Sequence, residues 1–145
     1  MSLTRSLIVA EARRWIGTPY RHQASLCGVG CDCLGLVRGV WRAVIGEEPE
    51  RAPPYARDWA EAGGEETLAQ AGLRHFQPVA TGDFAAGDVL LFRWREHLPA
   101  KHAAIASGEG SMIHAHDGAA VAEIALVPWC RRRLAFVFRF PGLVP

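Results

Sequence analysis

Residues 28–41, GVGCDCLGLVRGVW, run from a glycine-containing loop straight into an amphipathic helix. At helical spacing from Cys33, the residues Leu36, Val37, Val40, Trp41 and Val44 fall on the thiol's own face. A helix with one apolar face must bury it, so the sulfur in its first turn looks into the body of the protein. There the unpaired N–H groups and the positive end of the helix dipole favour a thiolate. Cysteine pKa values drop from about 8.5 to roughly 3.5–7.5 in such settings, most strongly beside a protonated histidine. Asp32 opposes this by its charge, yet it suits the N-cap position that fixes where the helix starts. The competing reading is a buried structural cysteine, since cysteine is among the most buried residue types.

The 145 residues are half apolar and 21% charged, with a formal net charge of +1. This length fits one domain spanning residues 1–145, able to bury roughly two-thirds of its unfolded surface. Acids and bases are interspersed, which gives no broad footprint for nucleic acid or a membrane surface. The run Arg131-Arg132-Arg133 reads as a solvated edge. No stretch approaches the roughly 18 apolar residues that span a bilayer. The opening MSLTRSLIVAEARRW has too short an apolar run for a signal peptide, so the expectation is cytoplasmic synthesis without a cleaved leader.

Around the thiol helix the chain divides into two grammars. Thr4 caps a first helix to about Ile16, with Gly17 as its terminator. GTPYRHQASLCGVGCD reads as a loop, and the thiol helix extends from Cys33 to about Ile45, stopping at Gly46. EEPERAPPY is broken by prolines; Asp58 suits the cap of a short helix near Trp59–Glu61. A further helix is expected from about Glu65 to Ala71, ended by Gly72. Beyond His75 the runs become short, β-branched or aromatic, and punctuated by glycine and proline. Candidate strands are Phe76–Ala80, Asp88–Trp94, His102–Ser107, Ser111–His116, Ala120–Ile124 and Leu134–Phe140. Helices first and an antiparallel sheet second spell an α+β fold.

A nucleophilic thiol needs a general base, and the base needs a group to orient it. His102 opens one candidate strand and His114 lies in the next, joined by a tight turn at Gly108-Glu109-Gly110. Their similar distances from the turn make them candidate cross-strand neighbours. His116 shares the alternation of His114 and is its rival as orienter. His22, His75 and His97 lie in loop-like surroundings and receive no chemistry. Among the four cysteines, Cys27-x3-Cys31-x-Cys33 is dense enough to raise a zinc reading, but paired C-x2-4-C clusters are absent. Cys130 stands alone.

In order along the chain, WIGTPYRH, GCDCLGLV, AAGDVLLF and KHAAIASGEGSMIHA resemble the four signature segments of the NlpC-type cell-wall peptidases, a papain-like family. That resemblance implies a papain-like fold with N-terminal helices packed on a C-terminal antiparallel sheet. It implies Cys33 as nucleophile, His102 as base, His114 as orienter and Tyr20 as an oxyanion or substrate contact. No metal and no cofactor is implied. The implied substrate is the peptidoglycan stem peptide, cut between γ-D-glutamate and meso-diaminopimelate or lysine, with Asp32 on the stem's free amine; a pure cap role for Asp32 stands beside this. YRHQAS, the thiol segment and PPYARDW resemble the phage-associated branch found in tail modules and gene-transfer particles. This implies phage-like tail proteins as partners and action at the cell wall or periplasm. Leu34 replaces the family's usual serine, Ala104 stands where the hairpin often has glycine, and the loop between Tyr20 and Cys33 is longer than usual. An amidase on the same fold, a structural tail subunit and a peptidoglycan-binding module are the alternatives.

Overall fold

The computed structural model describes residues 2–50 and 66–144. Helix α1 (Arg5–Arg14) begins where the Thr4 hydroxyl accepts the Leu7 N–H at 3.2 Å. Ile8, Ala12 and Trp15 form its buried stripe. The expected loop that follows is more ordered than its composition implied. It holds a two-residue hairpin, β1 (Ser25–Leu26) against β2 (Gly30–Cys31), too short for alternation to register. Tyr20 also bridges to Cys31, which ties the loop back onto itself.

Helix α2 (Cys33–Val44) starts at the expected residue. Its buried face holds Leu36, Val37, Val40 and Trp41, and also Gly35 and Gly39. Gly39 is needed for packing: a Cβ there would lie 2.0 Å from the Trp15 indole. The expected helix near Trp59–Glu61 and the Glu65 start lie outside the described residues. Helix α3 (Thr67–His75) does not end at Gly72 but runs through it. That glycine lets the helix sit on the sheet, since a Cβ would come within 2.6 Å of the Phe138 ring.

The strands are β3 (Gln77–Val79), β4 (Val89–Phe92), β5 (His102–Ala106), β6 (Ser111–His114), β7 (Ala122–Ala125) and β8 (Leu134–Arg139). They form one antiparallel sheet in the order β3-β8-β4-β5-β6-β7. All six expected strands are present, with β7 displaced toward the C-terminus by about one pleat and the others trimmed at their ends. A four-residue helix, α4 (Pro128–Arg131), was not anticipated because it is shorter than any periodicity can reveal. Arg131 and Arg132 are exposed, as the solvated-edge reading expected, but Arg133 is half-buried with its guanidinium 3.8 Å over the Trp129 ring.

The sheet is buried on both faces. Ile8, Trp15, Leu36, Val40, Leu91, Ala103, Ile105 and Phe138 pack between helices and sheet. Leu90, Phe92, Ala104, Ala106, Met112, Leu126 and Cys130 form a second core on the far side. This explains why Val89–Phe92 is apolar without a break. Ala104, completely buried, supplies a methyl to that far core.

Asp88, also fully buried, binds the frame together. Its carboxylate takes Arg139 Nη2 at 2.8 Å and Arg5 Nη1 at 3.2 Å, and it accepts the Ala85 N–H at 3.0 Å. Leu3 and Leu143 form a parallel bridge close by in the sequence, with Val144 N–H on the Leu3 carbonyl at 3.0 Å. Among the described residues, no helix is long and apolar enough to cross a membrane.

Candidate active site

Cys33 owes its position to backbone chemistry. Asp32 adopts extended φ/ψ and its Oδ1 accepts the Gly35 N–H at 2.7 Å, the N-cap expected of it. Its Oδ2 accepts the Gln23 N–H, also at 2.7 Å, and His22 Nδ1 stands 3.9 Å away. The carboxylate, only 2% exposed, therefore pins the loop to the helix start. Gly35 permits this seat: a Cβ there would lie 1.9 Å from the Ala24 carbonyl oxygen.

The thiol stands on the first turn of α2 and donates toward the Lys101 carbonyl at 3.8 Å, just before β5. Its ionisation runs against the sequence expectation. Burial pushes the Cys33 thiol up to about 11. The N–H groups of Ala103, Leu34 and Cys33 pull it down, while the Asp32 charge adds to the rise. The helix-start effect is present but loses to desolvation, since the half-buried Cys33 packs its sulfur against the backbone just before β5. At neutral pH the group is a thiol. Cys31, completely buried, is pushed higher still, to about 12, by burial and then by the charge of Asp32.

The histidines meet as the hairpin reading required, though diagonally. Ile105 pairs with Ile113 and Ala106 with Met112, so the same register would set Ala104 opposite His114 and His102 opposite His116. His102 instead reaches one step along the same face, and its Nε2 lies 2.9 Å from His114 Nδ1. The His102 ring stands at 83° to that of His114 and 88° to that of His116. Burial pushes His102 down to about 3, helped by charge on His114, His116 and Lys101. His114 falls to about 4 from burial and then His116. Both rings are neutral at physiological pH, and one of the two facing nitrogens donates to the other.

Tyr20, Asp32, Cys33 and His102 line one cleft of about 190 Å³, together with His22, Leu34, Leu68, Trp94, Lys101 and His116. His114 supports His102 from behind. A larger cavity of about 330 Å³ lies alongside, walled by Val37, Trp41 and Phe138 and also by Arg38, Glu48 and His75. No cysteine lines it, and His75 there is paired with Glu50, so the thiol chemistry belongs to the smaller cleft. Leu34 and Leu68 wall both spaces.

Two lining residues escaped the sequence reading. Trp94 stacks on the His102 ring at 27° with centroids 5.1 Å apart. It lies two residues beyond Phe92, the partner of His102 in the ladder, and this shared parity was the available signal. His22 lies two residues after Tyr20, but the loop carries no period to reveal that it faces inward. His75, by contrast, pairs with Glu50 at 2.8 Å, away from the cleft. All four cysteines are free. Among the described residues, the side chains close enough to share a metal ion are His102, His114 and His116, not the cysteines of the zinc reading.

Comparison with known proteins places this architecture. The sequence profile of the NlpC/P60 family matches residues 17–136. A probable endopeptidase of Mycobacterium tuberculosis is 33% identical over 110 residues, covering 76% of this chain and 23% of its own length. The gamma-DL-glutamyl hydrolase of Bacillus subtilis is 30% identical over 108 residues, covering 74% of this chain and 22% of its own. The chain thus spans less than a quarter of these curated relatives. Among solved structures, the NlpC/p60 domain of peptidoglycan hydrolase SagA superposes with a TM-score of 0.68 at 26% identity, covering 95% of this chain and all of that domain. The M. tuberculosis peptidoglycan hydrolase RipB shares the fold, with a TM-score of 0.62 at 19% identity over 93% of this chain and 63% of its own.

Proposed function

The chain belongs to the NlpC/P60 family, and on that premise we propose that it is a cysteine endopeptidase that hydrolyses peptidoglycan stem peptides. The observation that carries this reading is a thiol at a helix start sharing one cleft with a histidine whose far nitrogen is held by a second histidine. The bond cut is the γ-D-glutamyl–diamino acid linkage; the Bacillus relative's name bears on its γ-glutamyl side. Residues 1–145 act as one catalytic unit.

In this reading, His102 donates its Nε2 proton to His114 Nδ1, which leaves Nδ1 of His102 as the base. Substrate closes the gap between sulfur and ring, since catalytic hydrogen bonds in empty sites often tighten only on binding. Because thiol and imidazole are both neutral at rest, the Cys33 proton passes to His102 as sulfur attacks the amide carbon. His102 then gives that proton to the departing amine, and a thioester remains. Water, deprotonated by the same ring, releases the acid and restores the thiol. The Cys33 N–H and the Tyr20 hydroxyl stabilise the oxyanion, each donor supplying about 2.7–4 kcal/mol in the transition state. The negative charge of Asp32 at the cleft floor attracts the free amine of the stem, alongside its cap role. Leu34, in the place of serine, makes this wall of the cleft apolar.

The enzyme acts at the cell wall in a phage-like tail setting, a reading supported by the resemblance of YRHQAS, GVGCDCLGLVRGVW and PPYARDW. The deciding experiment is digestion of purified peptidoglycan by wild type and Cys33→Ala, with fragments identified by mass. Masses showing stem peptides severed after D-glutamate, in the wild type alone, are expected. Release of intact stems from muramic acid would make the protein an amidase, and no release would leave a binding module. Mass spectrometry of purified tail-like particles tests the setting.

A further inference from the structure

We propose that His102, His114 and His116 form a binding site for one divalent transition ion of the zinc class, and that filling it stops hydrolysis by disarming the base. The inhibition rests on the function proposed above; the binding does not.

One ligand nitrogen from each of the three rings lies within 4.8 Å of the others. Three imidazoles with no carboxylate among them suit zinc, cobalt, nickel or copper and not magnesium or calcium. Three protein ligands, two of them facing open space, also match the pattern of an accessible zinc site, with a fourth position for water. The open space is the cleft itself, which His102 and His116 both line. His102 is buried, His114 half-buried and His116 exposed, so an ion has a way in past an exposed third ligand.

The fit requires the rings to turn as well as shift, because the facing nitrogens of His102 and His114 now point at each other. Zinc–nitrogen bonds of about 2.0–2.1 Å in a tetrahedron set ligand nitrogens about 3.3–3.4 Å apart. The His102–His114 pair must open slightly from 2.9 Å, and His116 must close in. Protons balance without release. The proton shared between His102 Nε2 and His114 Nδ1 leaves the bridge as both nitrogens take the metal, and it moves to Nδ1 of His102. That nitrogen is the one the hydrolytic reading needs bare, so the bound ion removes the base without touching Cys33. Cys27, Cys31 and Cys33 do not join the cluster.

The test uses the full chain with Zn²⁺ and Co²⁺ alone as probes. Wild type should lose muropeptide cleavage on Zn²⁺ addition and regain it with a chelator. Measured against its own metal-free rate, His116→Ala should need about tenfold more Zn²⁺ or beyond for the same loss, as even outer-shell changes cost metal sites 10–100-fold. A readout independent of activity is Co²⁺ absorption of the Cys33→Ala protein. Visible bands of a tetrahedral site should saturate at one ion per chain there, and Cys33→Ala/His116→Ala should bind about tenfold more weakly or beyond. Absence of cobalt bands at millimolar Co²⁺, or equal binding with and without His116, overturns the site. Thiolate charge-transfer bands in the near ultraviolet also overturn it, by moving the ion to cysteine. Cobalt binding with unimpaired hydrolysis overturns the inhibition alone. A wild type with no hydrolase activity refutes the proposed function, and the cobalt arm still decides the site.

Discussion

The two walls of the cleft are built by different chemistry. The thiol wall is held by main chain: Asp32 caps α2 and clasps the Gln23 N–H, while Gly35 admits the Ala24 carbonyl. The imidazole wall is held by side chains: His114 on one edge of His102, Trp94 on its face and Phe92 beneath, with centroids 6.1 Å apart. A wall fixed by backbone tolerates replacement of the functional side chain it presents. A wall fixed by side chains does not, because each ring is part of the support for the next.

The sharpest use of that contrast is Cys33→Ala. It should abolish muropeptide cleavage while leaving the thermal midpoint nearly unchanged, since the half-buried sulfur gives up only one long contact to the Lys101 carbonyl and the Asp32 cap stays; cleavage retained would eliminate the thiol mechanism. Next comes the orienter. His114→Ala should lower turnover by about 10²–10⁴, whereas His116→Ala should leave it near wild type; the opposite outcome would exchange the two roles.

Ionisation offers a third handle. With the Cys33 thiol pushed up to about 11, its thiolate fraction, and so its alkylation rate, should climb about tenfold per pH unit from 7 to 10. A preformed thiolate–imidazolium pair would instead give a rate flat across that range. With His102 pushed down to about 3, the base stays unprotonated and kcat/KM should hold on the acid side to about pH 4, a profile measurable with a soluble muropeptide. The smallest effect tests the backbone wall itself. Asp32→Ala removes the cap and should cost about 0.5–2 kcal/mol of stability, read from denaturant midpoints. A loss of activity without any loss of stability would break the claim that Asp32 acts on the main chain.

Much of this was legible in the sequence because periodicity reports burial. The start of α2, its apolar face and the places of the strands along the chain were readable this way, and they hold. The features that were not legible have no period. The β1–β2 hairpin and α4 are too short to repeat, and Gly72 reads as a helix stop until Phe138, far along the chain, is known to press on it. The thiol's ionisation was misjudged for a related reason. Helix position is written locally, whereas the enclosure that outweighs it comes from residues 101–103, about seventy positions away.

The clasp at Asp88 and the Leu3–Leu143 bridge bring the first and last described segments side by side. A polypeptide entering and leaving at one spot behaves as a cassette: it can be spliced into a host surface loop, or have its ends joined and be reopened elsewhere, without rethreading the sheet.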